Sequence, residues 1–220
     1  MSQEPDIPLR RIAAFIRQHT HDVRNDLNSF DLETALLGEY VSEEEGQACL
    51  RRMRKQVRTL AERLRTLSSF FQDLDPLAAP IAAREVLLIW QEKHATIPTP
   101  PEVRWVDSLG FEKVNVDVEM IASVLRELLV NAAAFSPGET LTATARAQGR
   151  EVIFELSEPK KTAIDTAHWG EAFSTNRPNG YGLGLWAAQR FVEANGAKLS
   201  RRYVPEDGKL LTQISLPVLS

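Results

Sequence analysis

Two runs of apolar residues dominate the first third of the chain. In one, Ile16, Thr20, Val23, Leu27, Phe30, Thr34, Leu37 and Val41 recur at alternating spacings of four and three; in the other, Leu50, Met53, Val57, Leu60, Leu64, Leu67, Phe71 and Leu74 do the same. That alternation is the heptad seam of bundle helices. Residues 9–74 contain no proline, and their only glycines are Gly38 and Gly46. The runs meet at "GEYVSEEEG", where Ser42 followed three residues later by Glu45 reads as a capping box opening a second helix. Residues 1–76 are therefore expected to form an antiparallel helical hairpin. Two helices alone leave half of each stripe in water, at a cost of about 25 cal/mol for every Å² of apolar surface. A second copy of the chain is the simplest cover, and a homodimeric four-helix bundle is expected.

After "DLDPLAAP" the pattern changes. "AAREVLLIWQEKHA" reads as a short helix, "TIPTPPEVRW" as a proline-rich connection into a strand near residues 103–106, and "EKVNVDVEM" alternates as a strand. Asp117 is placed to cap a helix that runs through "VEMIASVLRELLVNAAAF" to Pro137. "ETLTATARAQGREVIFELS" is a hairpin turned at Gly149, "GLGLWAAQRFVEANG" a helix ended by Gly196, and "AKLSRRYVPEDGKLLTQISLPV" a further hairpin. Residues 77–220 are thus expected to be an α+β domain, a mixed sheet with helices on one face.

Composition narrows the function. With 43% hydrophobic residues among 220, the chain is globular, and a net charge of −4 lacks the basic excess of a nucleic-acid binder. Cys49 is the only cysteine, so no intrachain disulfide forms, and no Cys/His cluster has metal-ligand spacing. The longest apolar run, "VLLIW" at 86–90, is far short of the roughly 20 residues of a membrane helix, and "MSQEPDIPLRR" is no signal peptide. These features predict a cytoplasmic protein without direct membrane insertion.

Three short stretches carry candidate chemistry. In "QHTHDVRNDLN", residues 18–28, His21 falls just off the apolar seam and shares a face with Arg17, Arg24 and Asn25. A charged, solvated helix face explains such a stretch, and His19 is an instance. His21 differs in being followed directly by Asp22, a carboxylate that can take up its ring proton and make the imidazole a nucleophile. In "ELLVNAAAFS", Glu127 and Asn131 lie one helical turn apart, where their oxygens can support a hard cation such as Mg²⁺. In "FSTNRPNGYGLGLWAAQRF", Gly180, Gly182 and Gly184 precede an apolar helix, so backbone amides can approach phosphate oxygens. The glycine spacing matches neither the dinucleotide fingerprint nor a Walker loop.

In order and spacing these three stretches resemble the catalytic core of the two-component sensor histidine kinases, over nearly the whole chain. "HDVRNDL" resembles the histidine box, "ELLVNAAAFS" the asparagine box, and "FSTNRPNGYGLGL" the phenylalanine and second glycine boxes of the GHKL (Bergerat) ATP-binding fold. The resemblance implies a dimerisation and phosphotransfer hairpin over 1–76 and a GHKL-type domain over 77–220. It makes His21 the phosphoacceptor and Asp22 its general base, with Asn25 positioning water for dephosphorylation and Arg24 beside them. Asn131 would bind Mg²⁺ with help from Glu127, while Gly180, Gly182, Leu183 and Gly184 would surround the triphosphate of ATP. The implied partner is a response-regulator receiver domain.

One box departs from the pattern. Where the family carries Asp-x-Gly-x-Gly after a strand, with the Asp reading the adenine amino group, this chain has "FELSEPKKTAID". Glu158 stands at the Asp position, and Pro159, Lys160, Lys161 and Thr162 replace the glycine-bearing segment. Two readings follow: an enzyme, a protein-histidine kinase that uses ATP and Mg²⁺ to phosphorylate His21; or a histidine phosphotransferase or pseudokinase, without such cofactors, that shuttles phosphoryl groups between receiver domains.

Overall fold

The computed structural model describes residues 9–71, 74–164, 166, 169–172 and 182–219. The chain falls into two compact units that divide before Leu74. The first is the hairpin. Helix α1 spans Leu9–Tyr40 and α2 spans Glu44–Phe70. They run antiparallel, as cross-links at three levels show: Arg17 Nη1 donates to the Phe71 carbonyl at 2.9 Å, Arg54 Nε meets Asp31 Oδ1 at 3.2 Å, and Gln47 Nε2 donates to the carbonyls of Gly38 and Val41 at 2.8 and 2.7 Å. Gln47 thereby satisfies carbonyls that the end of α1 leaves open. Helix α2 starts at Glu44, two residues after Ser42, and Gln47 rather than a Ser42–Glu45 box closes this connection.

The seam is only half covered within one chain. Thr20, Thr34, Leu50, Val57 and Phe71 are buried, and Thr34 Oγ1 satisfies itself on the carbonyls of Phe30 and Asp31. Phe30, Leu37 and Leu60, from the same two series, remain exposed, as do Phe15, Leu32, Leu36 and Tyr40. A groove of about 280 Å³ lies among Leu27, Phe30, Met53, Gln56, Val57 and Leu60. Among the described residues no helix is long and apolar enough to cross a membrane.

The second unit is built on a five-stranded mixed sheet in the order β2-β4-β5-β7-β6, comprising β2 (Val103–Ser108), β4 (Leu141–Gln148), β5 (Glu151–Pro159), β6 (Lys198–Val204) and β7 (Lys209–Pro217). β2 and β4 are parallel and the other pairs antiparallel. A short strand β1 (Ala79–Ala82), which the sequence pattern does not announce, pairs antiparallel with β3 (Lys113–Val116). Three helices complete the unit: α3 (Ala83–Ala95), α4 (Val118–Phe135) and α5 (Gly184–Ala194). Two tight turns use glycine where φ is positive, Gly149 between β4 and β5 and Gly196 after α5.

Period-two alternation sets the core. Leu141, Ala143 and Ala145 of β4, Val152, Phe154 and Leu156 of β5, and Leu210, Ile214 and Leu216 of β7 are buried on one face. Against them pack Trp90 of α3, Ile121, Leu125 and Leu129 of α4, and Val192 of α5. Trp90 is fully buried, donates Nε1 to the Leu125 carbonyl at 3.2 Å, and meets Trp105 and Phe154 edge-on. The opposite face carries polar side chains such as Glu155, which accepts from Arg146 and Gln213.

The start of α4 is fixed from three directions. Asp117 Oδ1 caps the helix by accepting from Met120 N at 3.0 Å, Oδ2 accepts from Leu77 N at 2.9 Å, and the Asp117 amide donates to Asn195 Oδ1 at 2.6 Å. The Met120 bond, and then the Leu77 bond, hold this carboxyl below its ordinary value of 3.8. Such a group stabilises the fold above its unfolded pKa, and the contribution is lost as pH falls through the lower folded value. Asp117→Ala is expected to cost about 1 kcal/mol at neutral pH. Chemical denaturation of mutant and wild type should show the difference shrinking in acid, once the wild-type carboxyl is protonated.

Candidate functional site

On α1, residues 20 and 23 turn toward the hairpin interior, Thr20 buried and Val23 half-buried, which leaves His21, Asp22 and Asn25 exposed. The His21 side chain is 66% accessible, and its Nδ1 lies 3.3 Å from Asp22 Oδ1 and 3.4 Å from Asn25 Nδ2. Both neighbours approach the same ring nitrogen, and only one tautomer suits the carboxylate. With the proton on Nδ1 donated to Asp22, Nε2 keeps its lone pair and faces water, as a nucleophile requires. Gln18 Nε2 grips both Asp22 oxygens at 3.0 and 3.2 Å, and this bond, with that from His21, holds the Asp22 carboxyl below its ordinary value. Gln18 is thus a part of the site that sequence reading missed, although its position one turn before Asp22 was the available signal.

The two histidines have different surroundings. His19 stacks on Phe15, with ring centroids 5.7 Å apart and planes 5° from parallel. Arg17, grouped with His21 by helical spacing, is engaged on the Phe71 carbonyl. Arg24 is half-buried, and its Nε has no hydrogen-bond partner among the described residues. It lies at the rim of the His21 face rather than fully on it.

In the α/β unit, α4 presents the second set. Asn131 Nδ2 donates to Glu127 Oε1 at 2.9 Å, which leaves Asn131 Oδ1 available to a cation or its water. The Glu127 carboxylate lies against the start of α5, so that a side chain at Gly184 would overlap it. The absence of a side chain at Gly184 thus leaves the Glu127 carboxylate room to stay beside Asn131. Gly182 has φ +65°, and Leu183 between them is buried. The fold thus brings Glu127 and Asn131 together with Gly182, Leu183 and Gly184. Gly180 lies outside the described residues. No group of three or more metal-ligating His, Cys, Asp or Glu side chains occurs among the described residues.

One turn beyond Asn131, the C-terminal end of α4 is tied through Lys160 to Glu158. This residue closes β5 on the inner face and is buried, at 6% accessibility. Its Oε2 lies 2.9 Å from Lys160 Nζ, which also donates to Ser136 Oγ at 2.7 Å and faces the Phe135 carbonyl at 3.5 Å. Burial pushes the Glu158 carboxyl up, and the Lys160 ammonium opposes that shift. One row along the sheet, Arg201 of β6 stands opposite Thr212 of β7. Its buried Nε and Nη2 have no hydrogen-bond partner among the described residues, and its guanidinium lies 5.9 Å from the Trp169 ring centre. Burial lowers Arg201 to about 10. Neither Lys160 nor Arg201 was singled out from the sequence as a site residue. Strand alternation carried the signal, since Arg201 shares parity with Leu199 and Tyr203, and Lys160 with Glu158.

The two clusters therefore differ in what they fit. Around Gly182, Gly184 and Asn131 the residues suit phosphate oxygens and a hydrated Mg²⁺. Around Glu158 they do not suit an adenine amino group, because an internal ammonium already donates to the carboxylate.

No family model matches the sequence, and no curated protein matches it. Among solved structures, full-length ShkA in complex with AMPPNP superposes with a TM-score of 0.71 at 20% identity, over 94% of this chain and 46% of that one. The chain thus spans less than half the length of that structure. The Acinetobacter baumannii histidine kinase AdeS gives 0.53 at 17% identity over 92% of this chain and 98% of that one. The mycobacterial sensor histidine kinase MprB gives 0.51 at 19%, over 64% and 98%. The chain has the fold of a sensor histidine kinase catalytic core: a helical hairpin followed by a GHKL-type α/β unit.

Proposed function

We propose that the chain is a phosphotransfer protein of two-component signalling in which His21 accepts a phosphoryl group and passes it to the aspartate of a response-regulator receiver domain. The observation that carries this reading is the exposed His21 ring with its Nδ1 side turned to Asp22. Nε2 attacks phosphorus while the bond to the donor oxygen breaks. Asp22 holds the Nδ1 proton and offsets the positive charge that develops on the ring. In the onward step a receiver carboxylate oxygen attacks phosphorus, the P–N bond breaks and the neutral imidazole returns. Asn25 positions water when the group is hydrolysed instead, with Arg24 at the rim of the His21 face. The half-open seam of the hairpin takes a second copy, whose own exposed Phe30, Leu37 and Leu60 supply the matching apolar face.

The geometry around Glu158 favours a phosphorylated receiver as the source of the group, with cytoplasmic partners on both sides of the exchange. The pairing of Asn131 with Glu127 at the α5 glycines favours the second reading, in which Mg²⁺ and ATP supply it. Catalysis of phosphoryl transfer rests mainly on positioning and charge neutralisation, which either arrangement provides. Two parallel incubations of the purified protein decide: one with a receiver domain carrying labelled phosphate, the other with labelled ATP and Mg²⁺. Label is expected from the receiver. Label from ATP alone would support the kinase, and label from neither would end the phosphotransfer reading.

A further inference from the structure

We propose that Lys160 is the residue that determines nucleotide specificity in the α/β unit, its ammonium standing in for the amino group of a purine base and so disfavouring adenine nucleotides. The inference rests on reading the α4–α5 end of this unit as a nucleotide-type site, and it is independent of His21.

Lys160 stands two residues after Glu158, at the first glycine position of the Asp-x-Gly-x-Gly element that this stretch replaces. Two residues along an extended chain return to the same side, so the lysine side chain folds back over the carboxylate of Glu158. It is not a mobile surface lysine. Its backbone amide donates to the Gly208 carbonyl at 2.7 Å, which fixes the main chain beyond the end of the β5–β7 ladder. Its side chain is 5% accessible and that of Glu158 8%.

The ammonium also closes space. It bridges Glu158 at the end of β5 to Ser136 and the Phe135 carbonyl at the end of α4. An adenine ring placed against Glu158 would have to enter between these elements and separate contacts of 2.9 and 2.7 Å. It would exchange a hydrogen bond between two opposite charges for one in which only the carboxylate is charged. The displaced ammonium would also need new acceptors, because an unpaired buried charge is costly. Arg201 adds a second buried cation on the same inner face, beside Trp169. The base end thus holds two cations and one carboxylate, an environment that disfavours a further hydrogen-bond donor such as the adenine amino group.

The test is a titration with ADP, followed by calorimetry and by the rise in unfolding temperature, on the wild type, Lys160→Gly and Glu158→Gln/Lys160→Gly. The double variant removes the buried carboxylate charge along with its partner, and so keeps the experiment interpretable if the single variant does not fold. Inorganic pyrophosphate is titrated in parallel to report the phosphate end alone. At least a tenfold gain in ADP affinity is expected for a Lys160 variant, with little gain for pyrophosphate. Equal ADP affinity in wild type and variants, no ADP binding by either variant, or an equal gain for pyrophosphate would overturn the proposal. Exchange of phosphate between His21 and a receiver is scored separately, so loss of one reading leaves the other standing.

Discussion

His21→Ala is expected to reduce phosphoryl transfer on the order of a thousandfold or more, down to background, while leaving the hairpin folded. The size follows from chemistry: the variant lacks the atom that forms the bond to phosphorus, and the site offers no equivalent replacement. His19, two residues earlier, is stacked on Phe15 rather than set beside Asp22. The selectivity follows from exposure. The His21 side chain is 66% accessible and contributes nothing to the seam, so its loss should change stability by no more than about 0.5 kcal/mol. Circular dichroism of the variant, run beside the labelling assay, separates loss of chemistry from loss of fold. A variant that still takes up label would remove His21 from the mechanism.

Trp90→Ala is expected to destabilise the α/β unit by about 3–5 kcal/mol. The indole is fully buried between the helices and the sheet, touching Trp105 and Phe154 edge-on, and its N–H is satisfied by the Leu125 carbonyl. Removing it leaves a cavity that Leu125, Leu129 and Phe154 cannot fill from their rotamers without strain. Against a typical domain stability of about 5–15 kcal/mol, this is a large fraction. Denaturant unfolding followed by circular dichroism should show the transition of the α/β unit at markedly lower denaturant. An unchanged midpoint would mean that Trp90 is not the centre of this core.

Both outcomes bear on how much of the molecule can be read from its residues. Element types were legible because their signals are local. Asp117 caps α4 as its position before an apolar run predicts, and Gly149 and Gly196 take the positive φ that their turns require. The heptad seam marked the hairpin, and its uncovered half follows from counting two helices where a bundle needs more. Strand β1 was not legible, since "APIA" is four residues long and is held by pairing with β3, 31 to 37 positions away along the register from Ala82↔Lys113 to Ala79↔Val116. The capping box misled because Gln47, reaching back to Gly38 and Val41, supplies the hydrogen bonds at that junction.

The candidate site divides along the same line. The adjacency of His21 and Asp22, and the one-turn spacing of Glu127 and Asn131, lie within single helices, where sequence spacing is geometry. The approach of Gly184 to Glu127 depends on how α4 and α5 pack, which no spacing encodes. The cluster at Glu158 draws on β5, the end of α4 and β6. "EPKK" alone showed that the glycines were missing, but not that the lysine would turn inward to the carboxylate.

The central claim is that phosphate resides on His21. It is tested most directly by brief incubation of the full chain with a phosphorylated receiver domain, followed by mass-spectrometric localisation of the phosphoryl group. The account predicts a single acid-labile phosphoramidate on the His21 ring nitrogen remote from Asp22. Phosphate on His19, on a carboxylate or hydroxyl side chain, or on no residue of the chain would contradict it.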